Sequence, residues 1–419
     1  MSFLKSIKRN RARIALLLAV IGPGIVTANV DNDAGGIATY SVAGAHYGYG
    51  LLWMMPVVLV ALIVVQEMSA RLGVVSGKGL SALIRESLGV RLSVLILGIL
   101  LIANLANTVS EFAGVAASME IFGISKFISV PIVGILVWFI AVKFNYKVVE
   151  RVFLVASAIY ITYVISGIMA KPDWNVVAIA SVSPTFHFDA PYVTLAVTII
   201  GTTIAPWMQF YQQSSIADKA LKAKDYVYEQ IDVVIGSIFA VLVAAFITIA
   251  CAATLFKAGV HIDTAQDAAM ALGPLAGKYA ETLFAIGLLN ASVFSASILP
   301  LSTAYVVCEA FGWESGLDNG WKEAPIFFGI YTALIVLGGA IILLPIKSLV
   351  DTMLASQTLN GVLLPVILIV MLKLINDKSI MGKFANGRIM NILSWITVVI
   401  LIALTMILVL TSVFPGIFQ

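Results

Sequence analysis

The sequence predicts an all-α membrane protein of eleven spans, and three observations predict it. Hydrophobic residues make up 61% of the 419 and charged residues only 11%, a balance expected of a polytopic membrane protein rather than a soluble domain. Apolar stretches of about 20 residues, enough to cross a hydrocarbon core, recur along the whole chain. Lys and Arg are rich and poor in alternate loops, as they are on the two faces of a membrane. The net charge of +3 lies in those loops, which excludes a nucleic-acid patch and leaves membrane lipid as the surrounding partner. Cys251 and Cys308 are single and far apart within apolar segments, so neither a disulfide framework nor a thiolate metal site is expected.

The basic head "MSFLKSIKRNRAR" runs into the first span, 14–44. It has no small-residue cleavage site and reads as a retained helix, not a signal peptide. Further spans are expected at 51–72, 92–119, 127–142 and 152–170, then at 192–214, 231–256, 281–308, 325–345 and 349–374, with a last at 391–414. Residues 1–419 read as one polytopic domain. Twenty of the 25 Lys and Arg residues fall on the face of the N-terminus, against Lys126, Lys171, Lys257, Lys278 and Lys347 on the other. The N-terminus is therefore expected in the cytoplasm of a cell-membrane protein, with the C-terminal "SVFPGIFQ" outside.

Two spans are interrupted. The first holds Gly22-Pro23-Gly24, Asp31, Asp33 and Gly35-Gly36; the sixth reads "GTTIAPWMQFYQQS", with Pro206 in mid-span. Broken helices five spans apart are the pattern of two inverted five-helix repeats, here 14–170 and 192–374, with a substrate site where the breaks meet. The span 391–414 is then peripheral. Freed backbone is tolerated only against protein or a water-filled cavity; the plainer alternative is a pair of kinks with no ligand.

Charge inside the bilayer favours the site. A carboxylate at the centre of a span costs at least ~2.5 kcal/mol and is paired, protonated or functional. Asp33 directly precedes Ala34-Gly35-Gly36, where the helix is expected to unwind and release carbonyls such as those of Asn29 and Val30. One carboxylate among carbonyl and amide oxygens suits a hard divalent cation: magnesium, manganese or calcium. Asp31 points elsewhere in an unbroken helix and suits a structural pairing or an outer role. At the other break, Thr202 and Thr203 precede Ala205-Pro206, and proline leaves carbonyls unbonded. Gln209, Gln212 and Gln213 form a polar strip, either an aqueous route or a set of interhelical hydrogen bonds.

Glu111, Asn104 and Asn107 on the third span, Asp232 on the seventh, and Ser356, Gln357 and Asn360 on the tenth complete the intramembrane polar set, with Gln357 placed to give an amide oxygen. Glu67 and Glu309 fall near the cytoplasmic ends, where solvated or gating ion-pair roles are expected. His46, His187 and His261 lie in outer loops or at their edges, so no span holds the usual proton-relay side chain. No HExxH, GxSxG or phosphate-binding Gly-Lys motif is present, and "GVVSGKGLSAL" at 73–83 reads as a cytoplasmic turn. An enzyme is not expected, and no cofactor is implied.

"GPGIVTANVDNDAGGIATYSVAGAHYGYGLLW" with "ARLGVVSGKGL" resembles the opening of the Nramp (solute carrier 11) divalent-metal transporters. "SQTLNGVLLP" and "NDKSIMGKFANGRIMNILSW" resemble their tenth span and the loop after it, and the likeness extends through nearly the whole chain. It implies a LeuT-type fold of eleven helices with helices one and six broken, and a transported divalent cation as substrate.

The departures from the family pattern are informative. Where the family reads Asp-Pro-Gly-Asn, this chain reads Asp33-Ala34-Gly35-Gly36. The sixth-span Met-Pro-His becomes Ala205-Pro206-Trp207, removing a thioether and the histidine associated with proton coupling. The third-span acidic pair keeps Glu111, with Thr108 at the other position, and the ninth-span arginines are missing around "APIFFGIY". These changes resemble the Nramp-related magnesium transporters. An all-oxygen site no longer favours manganese or iron, and Gly36 and Ala205 leave room for an ion that keeps water; the bulk of Trp207 works against that volume argument.

The resemblance therefore implies magnesium uptake, with manganese also carried, by alternating access and without obligatory proton coupling. Asp33 would be the main ligand, with the carbonyls of Val30 and Thr202 and the Gln357 amide in support. Asp31, Glu111, Asn29, Thr203, Trp207, Gln209 and Asn360 would line the path or stand behind the ligands. A monomer is expected. The rival expectations are a proton-coupled manganese or iron transporter and, more distantly, a membrane metal sensor or intramembrane enzyme.

Overall fold

In the computed structural model, residues 30–143, 157–187, 189–273, 277–317 and 319–413 are described. Among them every long apolar segment is helical, and nine helices are long and apolar enough to cross a membrane. The first half of the first span, with Gly22-Pro23-Gly24 and Asn29, and the start of the fifth lie outside the described residues.

The first span resumes as α1 (Ala34–Tyr47), followed by α2 (Met54–Ser76). Next come a short helix α3 (Leu80–Leu88), α4 (Val90–Ile121) and α5 (Lys126–Lys143). The fifth span is described from a tight turn at Ser157–Tyr160 into α6 (Ile161–Met169), and an outer-loop helix α7 (Trp174–Val182) follows. The sixth span is two helices, α8 (Ala190–Thr203) and α9 (Pro206–Asp218), separated by Ile204 and Ala205. Helix α10 (Tyr226–Cys251) ends in a wider π turn at Ala252–Phe256. After α11 (Ala265–Ala269) come α12 (Ala280–Phe311), α13 (Pro325–Leu343), α14 (Leu349–Asn376), α15 (Lys378–Met381) and α16 (Arg388–Val413).

Four of these helices, α3, α7, α11 and α15, were not expected. The 73–83 stretch turns only over Gly77–Gly79, where Gly77 takes φ +64° and closes α2. From Leu80 an amphipathic helix begins, burying Leu80, Leu83 and Ile84. The outer-loop helices α7 and α11 begin at side-chain caps: Asp173 accepts from Asn175 N–H, and Thr264 with Asp267 forms a reciprocal capping box.

The core is helix on helix. α4 packs along α12 and α14, α14 along α8, and α10 against α2 and α1. Lipid tails offer no hydrophobic drive for such contacts, so small residues that let backbones approach do that work. A Cβ on Gly361 would strike the Val197 carbonyl, and one on Gly201 would strike the backbone of Gln357 and Gly361. The outer faces carry bare apolar side chains, such as Ile135 at 69% and Val336 at 61% exposure, which suits a lipid solvent. The final helix α16 is the least buried of the nine, as expected of a peripheral span.

The "NDKSIMGKFANGRIMNILSW" segment finds its structural role at the end of α2. Arg71, paired with Glu67 at 3.0 Å, also donates to the Phe384 carbonyl and the Asn386 side chain. Tyr226 bonds Glu67, and Asn376 and Asn391 exchange amide hydrogen bonds at 2.8 Å. Glu67 is thus a buried, paired group rather than a solvated one.

The close glycine crossing gives a direct test. Gly361→Val should cost about 1–3 kcal/mol by overpacking and lower the thermal midpoint of the detergent-solubilised protein. Gly329→Ala, where a Cβ meets nothing within 4 Å, should leave it unchanged or slightly raised.

Candidate metal site

Two breaks bring the site together. The non-helical residues of the first are Asp31–Asp33, whereas Ala34, Gly35 and Gly36 form the first turn of α1. The expected unwinding at Ala34–Gly36 is corrected accordingly, and the reason is the cap. Asp33 is extended (φ −69°, ψ −175°), and its Oδ1 accepts from the Gly36 N–H at 2.6 Å. An acidic cap is worth about 1 kcal/mol and meets the positive end of the helix. The glycines serve close approach rather than unwinding: a Cβ on Gly35 would collide with the Gln357 amide.

Gly36 is the centre of an oxygen cluster. The point where its Cβ would begin lies 2.6 Å from the Asp31 carbonyl, 3.2 Å from Thr202 Oγ1 and 3.3 Å from Asp33 Oδ1. Thr202 Oγ1 is buried and has no hydrogen-bond partner among the described residues. In a continued helix the N–H of residue 206 would bond the Thr202 carbonyl; that residue is Pro206, first in α9. A carboxylate and a carbonyl from the first break and a hydroxyl from the second therefore converge at Gly36. All are hard oxygen donors.

Gln357 donates from Nε2 to Asp33 Oδ2 at 3.2 Å and Oδ1 at 3.4 Å, while its Oε1 accepts from Asn360 at 2.9 Å. Where the sequence suggested an amide oxygen for a cation, the structure presents the nitrogen, because a carboxylate facing an amide takes its N–H. Asn360 and Asn107 exchange both amide bonds at 3.0 Å, which fixes α14 to α4 behind the site. Glu111 Oε2 accepts from Ala34 N–H at 3.3 Å, and its carboxyl is in hydrogen-bonding contact with that of Asp33.

Of the remaining expected residues, Val30, the first described residue, is fully buried directly before the break. Asp31 is 3% exposed, and its Oδ1 has no hydrogen-bond partner among the described residues. Thr203 bonds the Tyr40 hydroxyl at 2.8 Å and the Ile199 carbonyl at 2.7 Å. Ala205 is the residue before α9 and offers no side-chain cap. Trp207 is a core side chain beside the Tyr211 ring.

In the polar strip, the Gln209 amide nitrogen donates to the Ala205 and Pro206 carbonyls at 2.8 Å. Gln213 bonds the Lys78 carbonyl at 2.9 Å. Buried Gln212 has no partner for either amide atom among the described residues. Asn29 lies outside the described residues. Tyr40 was missed by the sequence reading; its place seven residues after Asp33, two turns along the same helix face, was the available signal.

Asp31, Asp33 and Glu111 are 3%, 4% and 0% exposed. The described ion pairs, Arg71–Glu67 and Lys78–Glu86, involve none of them. Like charges buried in contact require a positive partner, a proton or a metal ion. Among the described residues no three His, Cys, Asp or Glu side chains converge on one metal position. A cation here would draw on carbonyl, hydroxyl and amide groups as well as acid.

Two discontinuous helices whose breaks face each other around buried acids define a membrane domain of the LeuT-type secondary-transporter fold. The Eremococcus coleocola manganese transporter shares the fold at TM-score 0.75 and 23% identity, covering 96% of this chain and 88% of that one. Mhp1, a nucleobase-cation-symport-1 family transporter, shares it at TM-score 0.59 and 13% identity, with 94% of both chains covered. The divalent metal cation transporter MntH of Bacillus subtilis is 27% identical over 410 residues, covering 94% of this chain and 93% of that protein. The family model Nramp, natural resistance-associated macrophage protein-like, matches residues 24–411. The chain belongs to the Nramp family.

A methyl group at position 36 would enter the oxygen cluster. Gly36→Ala should weaken divalent-cation binding by about ten-fold, roughly the 1.4 kcal/mol of modest overpacking, while the protein stays monodisperse. Isothermal titration with magnesium and with manganese measures it.

Proposed function

We propose that this chain takes up divalent metal cations by alternating access, with magnesium the principal substrate and manganese also carried. The observation that supports it is the oxygen cluster at Gly36, built from carboxylate, hydroxyl and carbonyl, with Ala205 at the opposing break where a soft sulfur ligand would otherwise stand. Such a donor set has no preference for transition metals and suits an ion that keeps part of its hydration shell. Asp33 supplies the charge; the Val30 and Thr202 carbonyls and the Thr202 hydroxyl assist, and the Gln357 amide N–H holds the Asp33 carboxylate. The relatives named above are transporters rather than enzymes. Spans within 14–170 and 192–374 act as inverted repeats, with the N-terminus in the cytoplasm and Gln419 outside.

Membrane potential and the cation gradient drive the transport, with no obligatory proton. A second reading has one observation in its favour: the Asp33–Glu111 carboxyl contact is a place where a proton can be exchanged for a cation, as a proton-coupled manganese or iron transporter requires.

Magnesium flux into proteoliposomes with an internal pH reporter separates the two. The expected outcome is magnesium entry without acidification, manganese entry blocked by excess magnesium, and loss of both in a monodisperse Asp33→Ala variant. Acidification in step with metal uptake would establish the second reading. Ala205→Met should shift competition toward manganese, read as the ratio of inhibitory magnesium to manganese concentrations.

A further inference from the structure

A groove of about 450 Å³ opens on the lipid-facing side between α5 and α13. Val130, Gly134 and Trp138 line it from α5, Ile335 and Gly339 from α13, and Phe112 of α4 forms its floor. It runs about 12 Å along α5 at 1.5 Å per residue. Its hollow comes from two glycines that helix packing does not need. A Cβ on Gly134 would meet Ile335 and Phe112 at 3.7 Å, and one on Gly339 would meet Val130 at 3.4 Å, both ordinary contacts. Glycine within a helix costs about 0.5–1 kcal/mol against alanine, and membrane helices normally use it to bring backbones together. Here the missing side chains leave apolar space between packed helices.

The same three stretches of chain flank a second, polar cavity of about 200 Å³ just beyond the groove, lined by Glu120, Lys126, Asp263 and Lys347 among others. Lys126 opens α5 and donates to the Ile342 and Leu344 carbonyls at 2.8 and 2.9 Å, which leaves one of its three N–H groups for another acceptor. Lys126 and Lys347 are two of the five cations on a face that is otherwise poor in them. An apolar trough beside a pocket of both charge signs has the shape and polarity of a zwitterionic amphiphile.

We propose that this surface binds one phospholipid of the phosphatidylethanolamine class. Its acyl chain lies along Gly134 and Gly339, its phosphate meets Lys126 and Lys347, and its ammonium meets Glu120 and Asp263. Buried Phe112, the residue after Glu111, lies beneath the groove, so the lipid sits over the helix that carries a site acid.

Native mass spectrometry of the full chain, purified after exposure to equimolar phosphatidylethanolamine, phosphatidylglycerol and phosphatidylcholine, tests the assignment. The parent protein should retain phosphatidylethanolamine preferentially. Gly134→Leu and Gly339→Leu, made separately to fill the groove, should each reduce that retention by about ten-fold, and Lys347→Ala should remove the headgroup preference. Gly134→Ala, whose methyl group fits, reports whether folding itself has suffered. Equal retention by the parent and both leucine variants would mean annular lipid only and overturn the proposal. Preference for phosphatidylglycerol would also overturn it, as would a parent dimer that the leucine variants convert to monomer, which would assign the groove to a second copy of the chain.

Discussion

Hydrocarbon offers no partner for a peptide group, so any residue that leaves a helix inside the membrane must be met by protein or by water. Two short non-helical stretches here, Asp31–Asp33 before α1 and Ile204–Ala205 between α8 and α9, set the demand, and much of the interior is organised to meet them. Carboxylates of Asp33 and Glu111 take the N–H groups that open α1. Tyr40 and Thr203 tie that helix to the end of α8. Gln357, Asn360 and Asn107 extend the support from Asp33 through α14 to α4. Beside these bonds, four oxygens, Asp31 Oδ1, Asn32 Oδ1, Glu111 Oε1 and Thr202 Oγ1, are buried without a hydrogen-bond partner among the described residues. A pocket of unsatisfied acceptors is what a cation relieves.

Electrostatics and packing act together on this pocket. Three acids share a low-dielectric space in which no described Lys or Arg pairs with them, so the local field is strongly negative and draws positive charge. Size is set by absent side chains. Gly35 admits the Gln357 amide, and Gly36 leaves its Cα face open to oxygens from both breaks. The acids supply attraction and the glycines supply access.

The periodicity and length of the apolar runs made the spans legible, and most expected boundaries fall within a few residues of the helices. Asp33 was also legible, because a charge at mid-span is expensive and must have a use. The place of unwinding was not. Glycine suggested a breaker at 34–36, but a side-chain cap on one residue decides where a helix starts, and that depends on how Asp33 orients against Gly36. The Gln357 amide direction was hidden for a similar reason, since it follows from Asn360 and Asn107 on neighbouring turns and helices. The short helices α3, α7 and α11 escaped because their caps and brief amphipathic faces lie below the signal of the spans beside them. The groove at Gly134 was invisible, since nothing in a sequence distinguishes a glycine that admits a neighbour from one that leaves a gap.

Asp33 Oδ1 starts a helix, and in the proposed site it would also face the cation. Metal and the Gly36 N–H therefore compete for one oxygen's lone pairs, and binding free energy is exchanged with the first turn of α1. Linkage makes the exchange reciprocal: a cation that draws on Oδ1 loosens the turn, and a conformation that tightens the turn expels the cation. The backbone of α1 is in this sense a competing ligand, built into the chain and present at fixed concentration.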